Sequence, residues 1–298
     1  MTVDECMSLG AARLRDAGVP EPRRETRLLL AHSLGLDPAA VIGHPERPVP
    51  DREAFFALID RRAQGTPMAH ILGKREFWSL DFRVTPDTLD PRPDSEALIE
   101  AVLTRLADRR DEPLSVLDLG TGTGCLLLSV LSELPVASGV GVDRSPAAAA
   151  VARDNARRLE LSDRAHILAG DWTSALTGRF DLILANPPYI PSGDIDGLQV
   201  EVAQHEPRLA LDGGVDGLDA YRRLSREVPG ALAADGMAAF EVGAGQWRDV
   251  ADGMAAAGLT VEGPVADLSG IDRCVICHCS EGFSQKKGLE AGHEPSNF

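Results

Sequence analysis

The stretch that most constrains this chain is a run of apolar residues ending in three alternate glycines. Leu114-Ser115-Val116-Leu117-Asp118-Leu119 leads into Gly120-Thr121-Gly122-Thr123-Gly124, and an apolar helical segment follows over 125–134. A short Leu/Val run of this kind reads as a buried strand. Glycine permits positive φ and lets the backbone approach a ligand. The same strand, turn and helix order then repeats. Residues 140–143 close a second strand and the Ala-rich segment 146–159 is helical. Segments 165–168 and 180–185 read as strands, 221–232 as a helix, and 238–242 and 273–279 as late strands. Such alternation predicts an α/β fold with a doubly wound, mainly parallel sheet.

The chain before this region has a different period. Residues 4 to about 64 read as helical: Leu9, Ala12, Arg13 and Leu14 form an amphipathic stretch ending at Gly18. Pro22 can open a second helix through residues 26–32, and Asp51 can cap a third carrying Phe55, Phe56, Leu58 and Ile59. Phe77, Leu80, Phe82 and Val84 then alternate as in a β-hairpin, and a helix is expected from near Glu96 to about Arg109. The expected organisation is a small helical domain over 1–67, a hairpin connector over 68–90, a main domain over 91–280, and a disordered polar tail over 281–298.

The glycine loop does not fit the dinucleotide fingerprint G-x-G-x-x-G, because position 125 is Cys, and no G-K-[ST] follows. Two later carboxylates give the loop a ligand. Asp143 ends the second strand, where an acid can accept from both hydroxyls of a ribose. Gly170-Asp171-Trp172 follows the third strand. There a carboxylate can take an adenine amino group and an indole can pack on the ring. All three loops are expected at the carboxyl edge of one sheet.

Asn186-Pro187-Pro188-Tyr189 directly follows the fourth strand. Two prolines remove two donors and stiffen the loop. The Asn186 side-chain oxygen and the Pro187 carbonyl remain, and two acceptors match the two hydrogens of an NH2 group. Tyr189 offers a flat face to a planar group. An amide or aryl NH2 is a poor nucleophile because its lone pair is delocalised. Accepting both hydrogens aims that lone pair at a sulfonium methyl. Glutamine amides and adenine N6 satisfy this loop equally.

Together these segments resemble the HemK/PrmC family of protein-(glutamine-N5) methyltransferases, which act on class-1 peptide-chain release factors. The resemblance spans about residues 4–280. It also includes residues 69–78, Pro91-Arg92-Pro93, Glu206-Pro207 and the stretch 216–222. It implies a class I S-adenosylmethionine methyltransferase fold, with S-adenosylhomocysteine as product. It implies cofactor contacts at Gly120, Thr121, Gly122, Thr123, Gly124, Asp143, Trp172 and Asn186, to which the carboxylate reading adds Asp171. It also implies that Asn186, Pro187, Pro188 and Tyr189 hold the glutamine of a Gly-Gly-Gln motif, and that the helical domain docks the release factor. Asp90 departs from the family's usual Ile at that place.

Composition decides between substrates only weakly. A net charge of -16 opposes a nucleic-acid grip, which needs basic surface. That disfavours the rival reading, an adenine-N6 methyltransferase, as both loops intact disfavour a protein that merely binds a partner. No apolar run is long enough for a membrane helix, the first residues are acidic, and five cysteines cannot all pair, so a cytoplasmic protein is expected. Nothing demands an oligomer or a metal. Cys274-Val275-Ile276-Cys277-His278 spells a haem-attachment pattern, yet on a strand its thiols should face opposite sides. His205 and Glu241 read as structural, and Arg92 as either a site residue or a carboxylate's partner.

Overall fold

The computed structural model describes residues 1–279. The expected tail over 281–298 lies outside the described residues. The chain forms two units, Met1–Arg75 with Leu198–His205, and Glu76–Gly197 with the chain from Glu206 onward.

The first unit is helical. α1 (Val3–Asp16) opens on a reciprocal cap, in which the Thr2 hydroxyl accepts from the Glu5 amide and the Glu5 carboxylate accepts from the Thr2 amide. α2 (Pro22–Leu34), α3 (Pro38–Gly43), α4 (Arg52–Ala63) and α5 (Met68–Leu72) follow, with Asp51 capping α4. Leu14, Leu29, Leu30, Phe55 and Ile59 form its core. Arg62, buried, pairs with Glu25 at 2.6 Å and with Glu201 of the returning helix Val200–His205 at 3.0 Å.

A hairpin of β1 (Lys74–Phe77) and β2 (Leu80–Arg83) carries the chain from the last residues of the first unit into the second. Its two turn residues, Trp78 and Ser79, have φ of 51° and 59°, the geometry that matches strand twist but strains non-glycine residues. The Trp78 amide donates to Glu96 at 2.8 Å and its indole to Glu133 at 3.1 Å, which offsets the strain.

The main sheet follows: α6 (Glu96–Arg105), β3 (Ser115–Leu119), α7 (Cys125–Glu133), β4 (Ser138–Asp143), α8 (Pro146–Arg158), β5 (Ala165–Ala169) and β6 (Phe180–Ala185). After the returning helix, here α9 (Val200–His205), come α10 (Asp219–Ala231), β7 (Leu232–Glu241), α11 (Trp247–Ala256), β8 (Leu259–Val261), β9 (Val265–Ala266) and β10 (Asp272–Cys279). The strand order is β5-β4-β3-β6-β7-β10-β8, with β9 beside β10. The first five run parallel, whereas β10 is antiparallel to β7, β8 and β9. This is the expected mainly parallel α/β sheet with an antiparallel end. Chain order turns back at β3, so the loops after β3, β4, β5 and β6 open on one edge.

Two apolar layers cover the sheet. Cys274 belongs to the one that includes Leu98 and Val102 of α6, and Cys277 to the one that includes Leu224 and Val228 of α10. The two thiols therefore face opposite sides, as the alternation of a strand requires. α11 was not evident from sequence, because Gly253 weakens its helical pattern. Burial of Val250 and Met254 secures it instead.

Candidate active site

Gly120, Gly122 and Gly124 all adopt positive φ, 78°, 56° and 82°. They differ in what surrounds them. A Cβ at Gly120 would meet nothing within 4 Å and one at Gly122 only the Gly120 carbonyl at 3.9 Å, whereas at Gly124 it would press on Leu128 and Ala152. The first two face open space, and the third permits α7 and α8 to pack. Asp143 pins this turn: one carboxylate oxygen accepts from the Gly122 amide and the other from the Ser145 amide, both at 2.8 Å. Burial raises the Asp143 carboxyl above its ordinary range, against these two bonds.

Two buried residues that sequence reasoning missed support the loop. Asn155 of α8 is fully buried; its NH2 group donates to the Thr123 carbonyl at 2.9 Å and the Arg83 carbonyl at 3.0 Å. Its oxygen accepts from the Arg83 amide at 2.7 Å, so every face of the amide is used. Asp118 lies under the loop and accepts from the Thr121 hydroxyl at 2.6 Å, while its Oδ1 has no partner among the described residues. Burial pushes that carboxyl up to about 7. Its place two residues before Gly120 was the one signal that could have flagged it.

After β5, Asp171 and Trp172 take the next loop. Arg223 of α10 holds one Asp171 oxygen at 2.8 Å and Glu227 at 2.6 Å, and Glu227 accepts from the Thr173 hydroxyl at 2.6 Å. The Asp171 Oδ1 is left buried without a partner among the described residues. Trp172 has a φ of 52°, a strained value for a bulky residue.

Asn186 follows β6, whose Ala185 pairs with Phe240 of β7. Its NH2 group reaches the Ser95 hydroxyl at 3.5 Å. No donor among the described residues reaches the Asn186 oxygen or the Pro187 carbonyl. The loop is braced from behind. Ile190 donates to Leu211 at 3.0 Å and accepts from Gly213 at 2.9 Å, and Gln246 donates to the Tyr189 carbonyl at 3.0 Å. Gly217, with φ of 78°, lies so close that a Cβ there would overlap the Tyr189 carbonyl oxygen. Burial pushes the Tyr189 phenol up to about 12, with the Glu241 carboxylate adding to the effect.

These loops surround one cavity of about 460 Å³, a size suited to a small-molecule ligand. Gly120, Thr121, Gly122, Thr123, Asp143, Asp171, Trp172, Asn186 and Pro188 line it. Gly124, Pro187 and Tyr189 do not. Gly124 opens α7, Pro187 is buried, and Tyr189 packs on the α10 side of the sheet. Arg92 and Ser95 also line the cavity, and Arg92 pairs with the buried Glu206 at 2.7 Å. Arg92 thus borders the cavity and holds a carboxylate at once.

A mainly parallel sheet with an open glycine cradle and a cavity at its carboxyl edge defines a Rossmann-like methyltransferase. Residues 5–73 match the PrmC N-terminal domain and residues 92–209 the methyltransferase small domain. The release factor glutamine methyltransferase of Rhodospirillum rubrum is 48% identical over 278 residues, covering 93% of this chain and 85% of the relative. That of Cereibacter sphaeroides is 45% identical, covering 92% and 98%. A solved T. thermophilus 16S rRNA methyltransferase, in complex with AdoMet and guanosine, is alike in fold alone, with a TM-score of 0.50 and 19% identity over 69% of this chain and 49% of that one. The chain belongs to the release factor glutamine methyltransferase family. No described helix is long and apolar enough to cross a membrane.

Proposed function

We propose that the chain transfers a methyl group from S-adenosylmethionine to the side-chain nitrogen of the glutamine in the Gly-Gly-Gln motif of class-1 release factors, leaving S-adenosylhomocysteine. The observation that carries this is the placing of the Gly120 and Gly122 cradle and the Asn186 amide on the wall of one cavity. The names of the relatives support the substrate, and the net charge of -16 suits a protein target better than nucleic acid.

The residues present fit such a cofactor. The open space at Gly120 and Gly122 takes its backbone-contacting part, with Thr121, Thr123 and Gly124 shaping the turn. Asp143 keeps lone pairs for ribose hydroxyls beyond its two backbone bonds. The unpartnered Asp171 oxygen suits an amino group, beside the Trp172 ring. Bound there, S-adenosylmethionine supplies a methyl group on a positive sulfur.

The chain's own part is positioning. Asn186 accepts one substrate N–H through its side-chain oxygen, and Pro187 accepts the other through its carbonyl. Pro188 walls the cavity, and Tyr189 holds the loop's far end from the α10 side of the sheet. Fixing the nitrogen in line with the reacting methyl removes much of the entropic barrier. No general base is needed for the first step, since the proton leaves once nitrogen is cationic. The helical unit docks the release factor, and a single copy acts in the cytoplasm, where the factor works.

Incubation with purified release factor and labelled cofactor, followed by peptide mass mapping, tests this reading. The label is expected on the Gly-Gly-Gln glutamine. Label on nucleic acid, with none on glutamine, would overturn it.

A further inference from the structure

By sequence Glu241 ends a strand and has only a structural hydrogen bond to offer. The structure gives it a more specific place. Its neighbour Phe240 pairs with Ala185, so Glu241 stands beside Asn186, the residue just past β6. The side chain is 2% exposed and stays behind the cavity wall, whereas Ser95 and Asn186, which it faces, both line that wall. The Ser95 hydroxyl and the Asn186 amide are the hydrogen-bond donors that face its carboxylate. Its Oε2 has no partner among the described residues. A buried acid with one bare oxygen is a poor choice for packing, because desolvating the charge costs more than such contacts return.

The Asn186 amide has two unlike ends, an NH2 that donates and an oxygen that accepts. Ser95 and Glu241 both draw the NH2 end. That turns the oxygen toward the cavity. We propose that Glu241 is a positioning residue for methyl transfer: its carboxylate holds the NH2 end of Asn186 and so presents the Asn186 oxygen to the substrate's NH2 group. The proposal rests on the substrate reading above. Protonated Glu241 carries a donor of its own and loses acceptor capacity, which frees the amide to turn over and set donor against donor. The charged form also polarises the amide, and a polarised carbonyl oxygen accepts more strongly.

The groups that set this charge come from every neighbouring element. Arg273 on β10 favours it, and Asp94 before α6 opposes it. Tyr189, Tyr221, Cys125 and Cys274 surround it as neutral groups, each held protonated by burial. Burial dominates and pushes the Glu241 carboxyl up to about 7.

The test compares Glu241→Gln and Glu241→Met with the unaltered chain, measuring kcat, KM, cofactor Kd by calorimetry, and thermal melting. We expect kcat to fall roughly 10-fold in E241Q and roughly 100-fold in E241M, with cofactor Kd changed less than about 3-fold. The acid limb of the kcat profile near pH 7 should vanish in E241Q. Unchanged turnover in E241M overturns the proposal, as does a loss of kcat matched by an equal loss of cofactor affinity or folded fraction. A readout without substrate separates this idea from the substrate reading. The 15N resonances of the Asn186 side-chain amide should titrate near pH 7 in the unaltered chain and not in E241Q. If they titrate while no methyl reaches a release factor, the substrate reading fails and the Glu241–Asn186 link stands. If they do not titrate, the proposal fails whatever the substrate.

Discussion

The Asn155 side chain holds the Thr123 carbonyl at 2.9 Å. This one contact joins α8 to the glycine loop, and the same amide grips both polar groups of Arg83 in the hairpin. Asn155→Ala removes three bonds and leaves the buried Thr123 carbonyl and both backbone groups of Arg83 without them. It should cost about 2–4 kcal/mol in a denaturant titration. Cofactor affinity should fall as well, measured by calorimetry on the fraction that remains folded.

Gly122 and Gly217 share a positive φ but should fail differently. Gly122→Ala puts a methyl group into the open cradle, so cofactor Kd should rise at least ~10-fold while stability falls only about 1 kcal/mol. Gly217→Ala collides with the Tyr189 carbonyl and displaces the Asn186 loop from behind. Its kcat should drop while cofactor Kd holds.

Asn186→Ala removes an acceptor without touching the glycine cradle. Cofactor binding should largely survive, and methyl transfer should collapse by at least ~100-fold, by analogy with losing one well-placed catalytic hydrogen bond. Near-normal turnover would remove Asn186 from the mechanism.

Arg223 sits one contact away from the cavity's acid. Arg223→Met frees Asp171 and Glu227 together, loosening the loop after β5. Cofactor KM should rise about 10-fold with kcat little changed. An equal fall in kcat would instead place Arg223 in the transfer step.

Asp118 and Glu241 give stability a definite pH slope. Each carboxyl is raised to about 7, from ordinary values of 3.8 and 4.5. In that window the folded chain holds protons the unfolded chain has released. The stability is therefore complete below the ordinary value and is lost as pH rises through about 7. Asp118→Asn and Glu241→Gln each lack this loss. Relative to the unaltered chain, each variant should gain stability between pH 5 and 8, on the order of 2–4 kcal/mol, and level off above. Denaturant midpoints at four pH values across that range measure it.

Much of the sheet was legible because parallel buried strands have a plain signature. Segment 180–185 coincides with β6, and 165–168 misses β5 by one residue. The antiparallel end was harder. β8 and β9 are three and two residues long, too short for any period to show. The site divides in the same way. The residues singled out from sequence sit in local motifs, and most of those motifs do line the cavity. Residues that hold the motifs in place, such as Asn155, Glu241 and Gly217, lie 32, 55 and 28 positions from Thr123, Asn186 and Tyr189 along the chain. No local pattern joins such pairs.

By itself, the sequence determined the alternation of strands and helices, the three left-handed glycines and the two-proline loop. These follow from steric rules acting within a few residues: φ freedom, missing donors and hydrophobic period. Only the tertiary structure decided that the chain returns to its helical unit at Leu198–His205, that Arg92 is claimed by Glu206, and that a buried acid stands behind Asn186. Those outcomes depend on which strands become neighbours. Pairing β6 with β7 sets Asn186 beside Glu241, because strand register brings together residues far apart in the chain.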